Sequence, residues 1–160
     1  MGKPVQSPDL QGRVDISTVT LKDCAEVASW LRLADRMEVV AHGYEPLEGI
    51  WTAVMQSEQA YCVCYEGDPA FIFGVAEQEN GSGYVWAVGT DDVNEFSVYF
   101  ARESRKWIST LAEDFDFLWS YSYADNGLHH RWLEWCGFDH VDDVRLGPKD
   151  APFKTYVRIP

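Results

Sequence analysis

Positive charge is scarce in this 160-residue chain. It has 13 Lys and Arg residues against 26 Asp and Glu, which gives a formal net charge of −13. Binding DNA or RNA requires clustered Lys and Arg side chains that displace counterions, and an anionic membrane surface attracts basic residues as well. The composition therefore argues against nucleic acid and membrane surfaces as partners. It favours a basic protein partner, or none.

Long apolar runs and regularly spaced cysteines are also missing. No segment approaches the roughly 18 apolar residues of a membrane span, and residues 1–12 show no signal-peptide pattern. The four cysteines (Cys24, Cys62, Cys64, Cys136) lie inside apolar segments, where buried reduced thiols are expected. Cys62 and Cys64 could begin a metal site, but the sequence near them supplies no further ligand. We expect a protein without a metal, located in a cytoplasm or packaged from one.

Aromatic and apolar residues, by contrast, are abundant. The chain is 46% hydrophobic and contains seven Trp, eight Tyr and eight Phe, which is ample material for the core of one domain of this size. Residues 1–12 carry two Pro, two Gly and no periodicity, and we expect a flexible N-terminal tail there. Residues 13–160 show no repeat and no linker, and are predicted to form a single domain.

Hydrophobic periodicity predicts the element order β-α-α-β-β-β-α-β-α-β-β. Helices are expected at about 21–41, from 46 onward, at 93–114 and at 128–136. Thr20 with Asp23 is typical of a capped helix start, and Asp91 with Asp92 is expected to cap the helix at 93–114. Three middle strands form a meander, and the 93–114 helix then connects a parallel pair. The predicted fold class is α/β (α+β), with a mixed sheet of about seven strands and about four helices on both faces.

The stretch from Tyr121 to Phe138 predicts a strand that ends at Asn126, a short helix and a turn. Gly137 and Phe138 follow Asn126 by eleven and twelve positions. This spacing, together with the element order over residues 13–160, resembles the GNAT (GCN5-related N-acetyltransferase) superfamily. The resemblance implies splayed fourth and fifth strands, between which the acyl-pantetheine arm of acetyl-CoA lies.

The second half of the chain, roughly residues 70–159, resembles a narrower group. This group is the small GNAT-like internal virion (core or scaffolding-associated) proteins of short-tailed bacteriophages. The segments that carry the likeness are Trp86–Val93, Leu118–Tyr121, the helix with Arg102, Arg105 and Lys106, and Asn126 with His130, Leu133 and Gly137. This likeness implies a role in the phage head or in its assembly.

The phosphate-binding loop implied by the GNAT resemblance is altered. In place of Gln/Arg-x-x-Gly-x-Gly/Ala, the chain has Gly89-Thr90-Asp91-Asp92-Val93, with no glycine after Gly89. Carboxylates at a helix start occupy its free N–H groups and repel a pyrophosphate. If CoA does bind, the resemblance implies Trp86, Val88, Gly89, Thr90 and Asn126 as its contacts. Alternatively, aromatic side chains fill the gap between the strands as core.

The proton donor implied by the resemblance, a Tyr seven positions after Asn126, is replaced by Leu133. His129 and His130 are candidate substitutes because a neutral-range pKa suits acid–base chemistry. The alternative is that both are surface histidines. Glu77, near the end of the third strand, is a candidate general base or a solvated carboxylate.

Three functions remain open at this stage. The first is a non-catalytic phage virion or morphogenesis protein that uses the fold for protein interactions and needs no cofactor. The second is an acetyl-CoA-dependent N-acetyltransferase that modifies a lysine or amine, including one on a basic host protein. The third is a CoA-binding or small-molecule-binding sensor. The first is preferred because both catalytic features are missing, and it places the protein in the host cytoplasm or the virion.

Overall fold

A seven-stranded mixed sheet organises the chain in the computed structural model, which describes residues 13–160. The expected N-terminal tail, residues 1–12, lies outside the described residues. The strands are β1 (Val14–Thr18), β2 (Gln59–Tyr65), β3 (Asp68–Glu77), β4 (Gly83–Gly89), β5 (Leu118–Tyr123), β6 (Asp139–Leu146) and β7 (Ala151–Arg158). Their order is β1-β2-β3-β4-β5-β7-β6, and β4 with β5 is the parallel pair. The predicted fold class is therefore confirmed.

Five α-helices accompany the sheet within these residues: α1 (Leu21–Ser29), α2 (Leu33–Ala41), α3 (Pro46–Met55), α4 (Ser97–Ala112) and α5 (Gly127–Trp135). The sheet strands alternate between two hydrophobic clusters. Phe73 and Val85 pack with residues of α4 and α5 on one face. Ile72 and Trp86 pack with residues of α1, α2 and α3 on the other. Alternation of side chains along a strand is what lets one sheet support two cores.

The single helix expected at about 21–41 is divided in two. The capping box at its start is present, with Asp23 N donating to Thr20 Oγ1 over 3.1 Å. The helix then stops, because Leu31 forms a β-bridge with Thr90 and Arg32 N donates to Gly89 O over 2.9 Å. Between α1 and α2, Leu31 and Arg32 therefore pair with the end of β4.

The helix expected at 93–114 begins differently as well. Residues Asp91–Phe96 form a short 3₁₀ helix, and the α-helix starts only at Ser97. The cap is Thr90, whose Oγ1 accepts from Asp92 N over 3.2 Å, while Asp91 and Asp92 are exposed. None of the helices within residues 13–160 has both the length and the apolar character needed to cross a membrane.

Candidate functional site

The central feature of the sheet is the separation of β4 from β5. These parallel strands pair only at Gly83 with Leu118 and at Tyr84 with Trp119. Just beyond, Ser120 Oγ donates to Val85 O over 2.6 Å, and the strands then diverge. From that point to Gly89 and Tyr123, neither strand gives its neighbour the hydrogen bonds that a continuous sheet supplies. Backbone groups inside a protein must find other partners.

Helix α2 supplies those partners. Asp35 Oδ2 accepts from Gly89 N over 2.9 Å, at the end of β4. Glu38 Oε2 accepts from Tyr123 N over 2.9 Å, at the end of β5. Both carboxylates are buried, at 6% and 7% exposure. One turn of α2 therefore bridges the gap between the two strands.

Asn126 and His129 complete this buried network. The Asn126 amide donates to Asp35 Oδ1 over 2.9 Å and to Glu38 Oε2 over 3.1 Å. His129 Nδ1 lies 3.0 Å from Glu38 Oε1, and Arg32 forms an ion pair with Asp35 at 3.0 Å. Asn126 also begins α5, since its Oδ1 accepts from His129 N over 3.4 Å. We refer to Arg32, Asp35, Glu38, Asn126 and His129 as the carboxylate network.

The ionisation of the network follows from burial and pairing. Burial raises the pKa of Asp35, and the opposing effects of Arg32 and Asn126 are smaller. Burial also acts against ionised Glu38, but the charge and hydrogen bond of His129 outweigh it and hold the pKa of Glu38 below its usual value. Burial disfavours charged His129, yet the adjoining Glu38 raises the pKa of His129. Glu38 and His129 thus form a buried ion pair.

Two cavities lie against this network. The larger, about 210 Å³, is lined by residues of α2, α3, β4, β5 and α5, among them Glu38, Tyr84, Trp86, Tyr121 and His129. The smaller, about 50 Å³, lies toward α4 and α5, and its lining includes Asp35, Gly89, Phe100, His129 and Trp132. Among the described residues, His129 Nε2 and Trp132 Nε1 are buried without a hydrogen-bond partner.

Comparison with known proteins identifies the architecture. No family profile matches the chain, and no curated protein matches it in sequence. Solved structures do match. AAC(6')-Ib, an aminoglycoside acetyltransferase solved with ribostamycin and coenzyme A, superposes with a TM-score of 0.67 at 14% identity, covering 92% of this chain and 93% of its own. A GNAT-family acetyltransferase from Bacillus anthracis gives 0.67 at 13%, covering 92% and 95%. Ard1 from Thermoplasma volcanium gives 0.69 at 12%, covering 92% and 97%. This chain has the GNAT fold.

The residues that the GNAT resemblance implied as CoA contacts are distributed around the splay. Trp86 and Val88 line the larger cavity, and Trp86 Nε1 donates to Ser57 Oγ over 2.7 Å. Gly89 lines the smaller cavity, Thr90 caps the 3₁₀ helix and Asn126 belongs to the carboxylate network. The structure therefore gives each of these residues contacts within the protein itself.

The candidate acid–base residues are not brought together. Glu77 is exposed and pairs with Gly83, at the end of β4 that is hydrogen-bonded to β5. Gly83 lies six residues along β4 from Gly89, so Glu77 is about 20 Å from the open end of the gap. His130 is half-buried, and its Nε2 lies 2.9 Å from Tyr123 O. Describing His129 as a surface histidine was wrong, because it is 7% exposed. Helix α5 buries His129 and Leu133, as does the following Cys136, and leaves Leu128 and Trp135 exposed.

Acetyl-CoA is the cofactor that the GNAT fold implies, and neighbours with this fold are solved with CoA or acetyl-CoA. In this chain the strand ends beside the β4–β5 gap already have partners within the protein. A pantetheine arm between β4 and β5 needs free strand donors, and the N–H groups of Gly89 and Tyr123 are donated to carboxylates. A Cβ at Gly89 would lie 3.1 Å from Phe71 Cδ1 and 3.2 Å from Val93 Cγ2, so side chains of the protein pack closely against one sheet face at Gly89. The smaller cavity is far below the several hundred Å³ of typical ligand sites.

Sequence reasoning missed Asp35 and Glu38. Both lay inside the single helix expected at 21–41, where acidic residues are ordinarily solvated. A signal was nevertheless present. Leu33, Met37 and Val40 fall on one face of α2, and Asp35, Glu38 and Val39 fall on the other. Because Val39 accompanies the two acids, apolar residues occur on both faces of α2, so burial of the face with the carboxylates was possible.

Proposed function

We propose that this chain is a GNAT-fold interaction protein that does not turn over acetyl-CoA. The observation that carries the proposal is the position of two carboxylates. Asp35 accepts from the end of β4 and Glu38 from the end of β5, both over 2.9 Å, in the gap where an acyl-pantetheine arm would lie. Removing them from these positions would break a buried network that also holds Asn126 and His129.

Two further features support the absence of turnover. Leu133 stands where the GNAT resemblance implies a proton-donating Tyr, and it is fully buried in the core. Asp91 and Asp92 are exposed at the start of the 3₁₀ helix, where a pyrophosphate would approach. Carboxylates there repel phosphate groups through space.

The interaction role that we propose is that of an internal virion or head-morphogenesis protein of a bacteriophage. Its support is the sequence likeness over residues 70–159. The net charge of −13 favours a basic protein partner, either a virion component or a host protein. The protein would then be found in the host cytoplasm or the virion. Mass spectrometry of purified virions tests this, and absence from the particles would argue against packaging.

A CoA titration tests the absence of turnover. We expect isothermal titration calorimetry of the wild-type protein with acetyl-CoA and with CoA to show no binding at about 1 mM ligand. Asp35→Ala frees the Gly89 N–H and is the informative variant, and Asp114→Ala, an exposed acid at the end of α4, is its control. Wild-type binding tighter than about 100 µM, or about 5.5 kcal/mol, would overturn the proposal.

One observation favours an alternative, an N-acyltransferase acting on a lysine or another amine. The larger cavity, about 210 Å³, combines four Tyr and Trp side chains with the Glu38 carboxylate, a lining that suits an ammonium group. This alternative requires α2 to move out of the β4–β5 gap. Thiol release from acetyl-CoA in the presence of poly-L-lysine or spermidine tests it. Release no faster than the enzyme-free blank would eliminate it, and CoA binding without release would indicate a sensor.

A further inference from the structure

Helix α2 is oriented opposite to an ordinary surface helix. Its three exposed positions are all apolar: Leu33 at 72% exposure, Met37 at 43% and Val40 at 52%. Its buried positions are Asp35, Glu38 and Val39. The carboxylates are thus turned inward to the β4 and β5 strand ends, and the apolar side chains are turned outward.

The outward side chains form one continuous stripe. Leu33, Met37 and Val40 follow the i, i+4, i+7 spacing of a single helix face, over roughly 10 Å. Trp30, at 73% exposure, stands three residues before Leu33 at the junction of α1 and α2. Clustered exposed apolar residues mark interaction sites, and Trp is enriched among residues that dominate binding energy. We call Trp30, Leu33, Met37 and Val40 the α2 face.

The surroundings of the α2 face are acidic. Trp30 also lines a groove of about 430 Å³, together with the carboxylates of Glu26, Asp68, Asp91 and Asp92. Of the nearby cations, Arg32 is paired with Asp35, and the Arg36 guanidinium donates to Ala28 O over 3.1 Å. A groove with four carboxylates beside an exposed indole is complementary to Lys or Arg side chains.

Charge distinguishes among the kinds of molecule that could bind the α2 face. A second copy of the chain would bring two acidic grooves together between molecules of net charge −13 each, and like charges at an interface are repulsive. An anionic lipid surface is repelled for the same reason. A protein segment with apolar residues on one side and basic residues on the other satisfies both the stripe and the groove.

We propose that the α2 face docks a basic amphipathic segment of a protein partner, with its apolar side chains on Leu33, Met37 and Val40 and its Lys or Arg side chains in the groove beside Trp30. This names the partner class for the interaction role proposed above and rests on that role. It makes no use of CoA. A negative result in the docking experiment would therefore not affect the conclusion from the acetyl-CoA titration, and the reverse also holds.

Fluorescence anisotropy tests the docking with a labelled synthetic peptide of Lys and Leu, the Leu residues placed at helical spacing. A peptide with Glu in place of Lys is the charge control. We expect the Lys/Leu peptide to bind, and the triple variant Leu33→Ser, Met37→Ser, Val40→Ser to weaken binding about tenfold or more. The matched variant Val98→Ser, Val141→Ser, Ile159→Ser removes three apolar side chains that are at least as exposed, from other surfaces, and it should bind like wild type.

A second pair of variants tests the groove. Asp68→Asn, Asp91→Asn and Asp92→Asn together should weaken binding several-fold and flatten its salt dependence. Glu113→Gln, Asp114→Asn and Asp139→Asn, which change three exposed acids elsewhere, should weaken it less. Equal binding of the Glu/Leu peptide, or wild-type affinity in the α2-face variant, would overturn the proposal. So would concentration-dependent dimerisation in sedimentation velocity, or cosedimentation with anionic vesicles, that the α2-face variant abolishes.

Discussion

Two acids on one turn of α2 determine what occupies the gap between β4 and β5. Asp35 and Glu38 satisfy strand N–H groups that would otherwise be unpaired, and Asn126 ties the two carboxylates together. Such a network stabilises only while every member is present, because a buried charge that loses its partner keeps its desolvation cost. The residues most sensitive to substitution are therefore polar ones, and they lie outside both hydrophobic clusters.

At this scale we predict that His129→Ala lowers the free energy of unfolding by about 3–5 kcal/mol. The change leaves Glu38 buried without its partner at 3.0 Å. His130→Ala is the matched control on the same helix. His130 is half-buried and contacts the Tyr123 carbonyl, so its removal should cost only about 1 kcal/mol. Urea unfolding followed by fluorescence measures both, and equal losses would refute the buried ion pair.

Among the elements, α2 is the one that bridges the gap between β4 and β5. It reaches the ends of β4 and β5 because the helix expected at 21–41 is interrupted at Trp30–Arg32, where the chain pairs with β4. Without that break, α1 would continue in its own direction and could not place Asp35 against Gly89. The interruption and the carboxylate network are thus parts of one arrangement.

We therefore predict that Asp35→Ala increases the hydrogen-exchange rate of the Gly89 amide by about tenfold or more, which corresponds to about 1.4 kcal/mol of local opening. The reason is that this amide donates to Asp35 over 2.9 Å. Asp92→Ala, which removes an exposed acid close to the same strand end, is the control. NMR-detected exchange resolves the individual amides. An unchanged Gly89 rate would mean that α2 does not protect the end of β4.

Across the whole molecule, the acidic side chains differ in their exposure to solvent. The formal charge of −13 is mostly solvated, but two of its carboxylates are buried at the centre of the fold. Because the pKa of His129 is raised by Glu38, its stabilising contribution is fully present below about pH 6.5 and is lost as the pH rises through its folded pKa. The depressed pKa of Glu38 acts at the other end, where stability is lost as pH falls through it.

We predict that wild-type stability minus that of His129→Gln decreases as the pH is raised from about 6 to about 9. Few other groups interfere in this range. The pKa values of His42 and His130 are lowered by burial, and burial raises the pKa of the Cys24 thiol to about 11. Urea unfolding at a series of pH values provides the measurement. A difference that stays constant across this range would show that folding does not shift the pKa of His129.

Much of the fold could be predicted because its signals are local. The Thr20 capping box, the meander of β2, β3 and β4, and the Asn126-to-Phe138 corner each depend on neighbours in the chain. Gly137, for example, has φ +95° at the end of α5, and Phe138 N donates to Leu133 O over 3.0 Å. Glycine is favoured there for a backbone reason, independent of any ligand.

The site could be predicted only in part. Asn126 was singled out by its spacing to Gly137, and it does lie at the centre of the network. Its partners Asp35 and Glu38 are separated from it by 91 and 88 residues, and no local pattern encodes such a pairing. The burial of His129 could not be predicted for a similar reason. Burial of His129 depends on Glu38, a residue of another element.

The sequence by itself determined the element order and the mixed sheet, because periodicity and turn residues act over a few positions. It also shows directly that no second glycine follows Gly89 in the loop. Only the tertiary structure decided what fills the splay between β4 and β5. Aromatic residues were the expected filler, but carboxylates of α2 occupy the strand ends. The physical reason is that diverging strands leave unpaired N–H groups, and acceptors such as carboxylates can satisfy them whereas aromatic rings cannot.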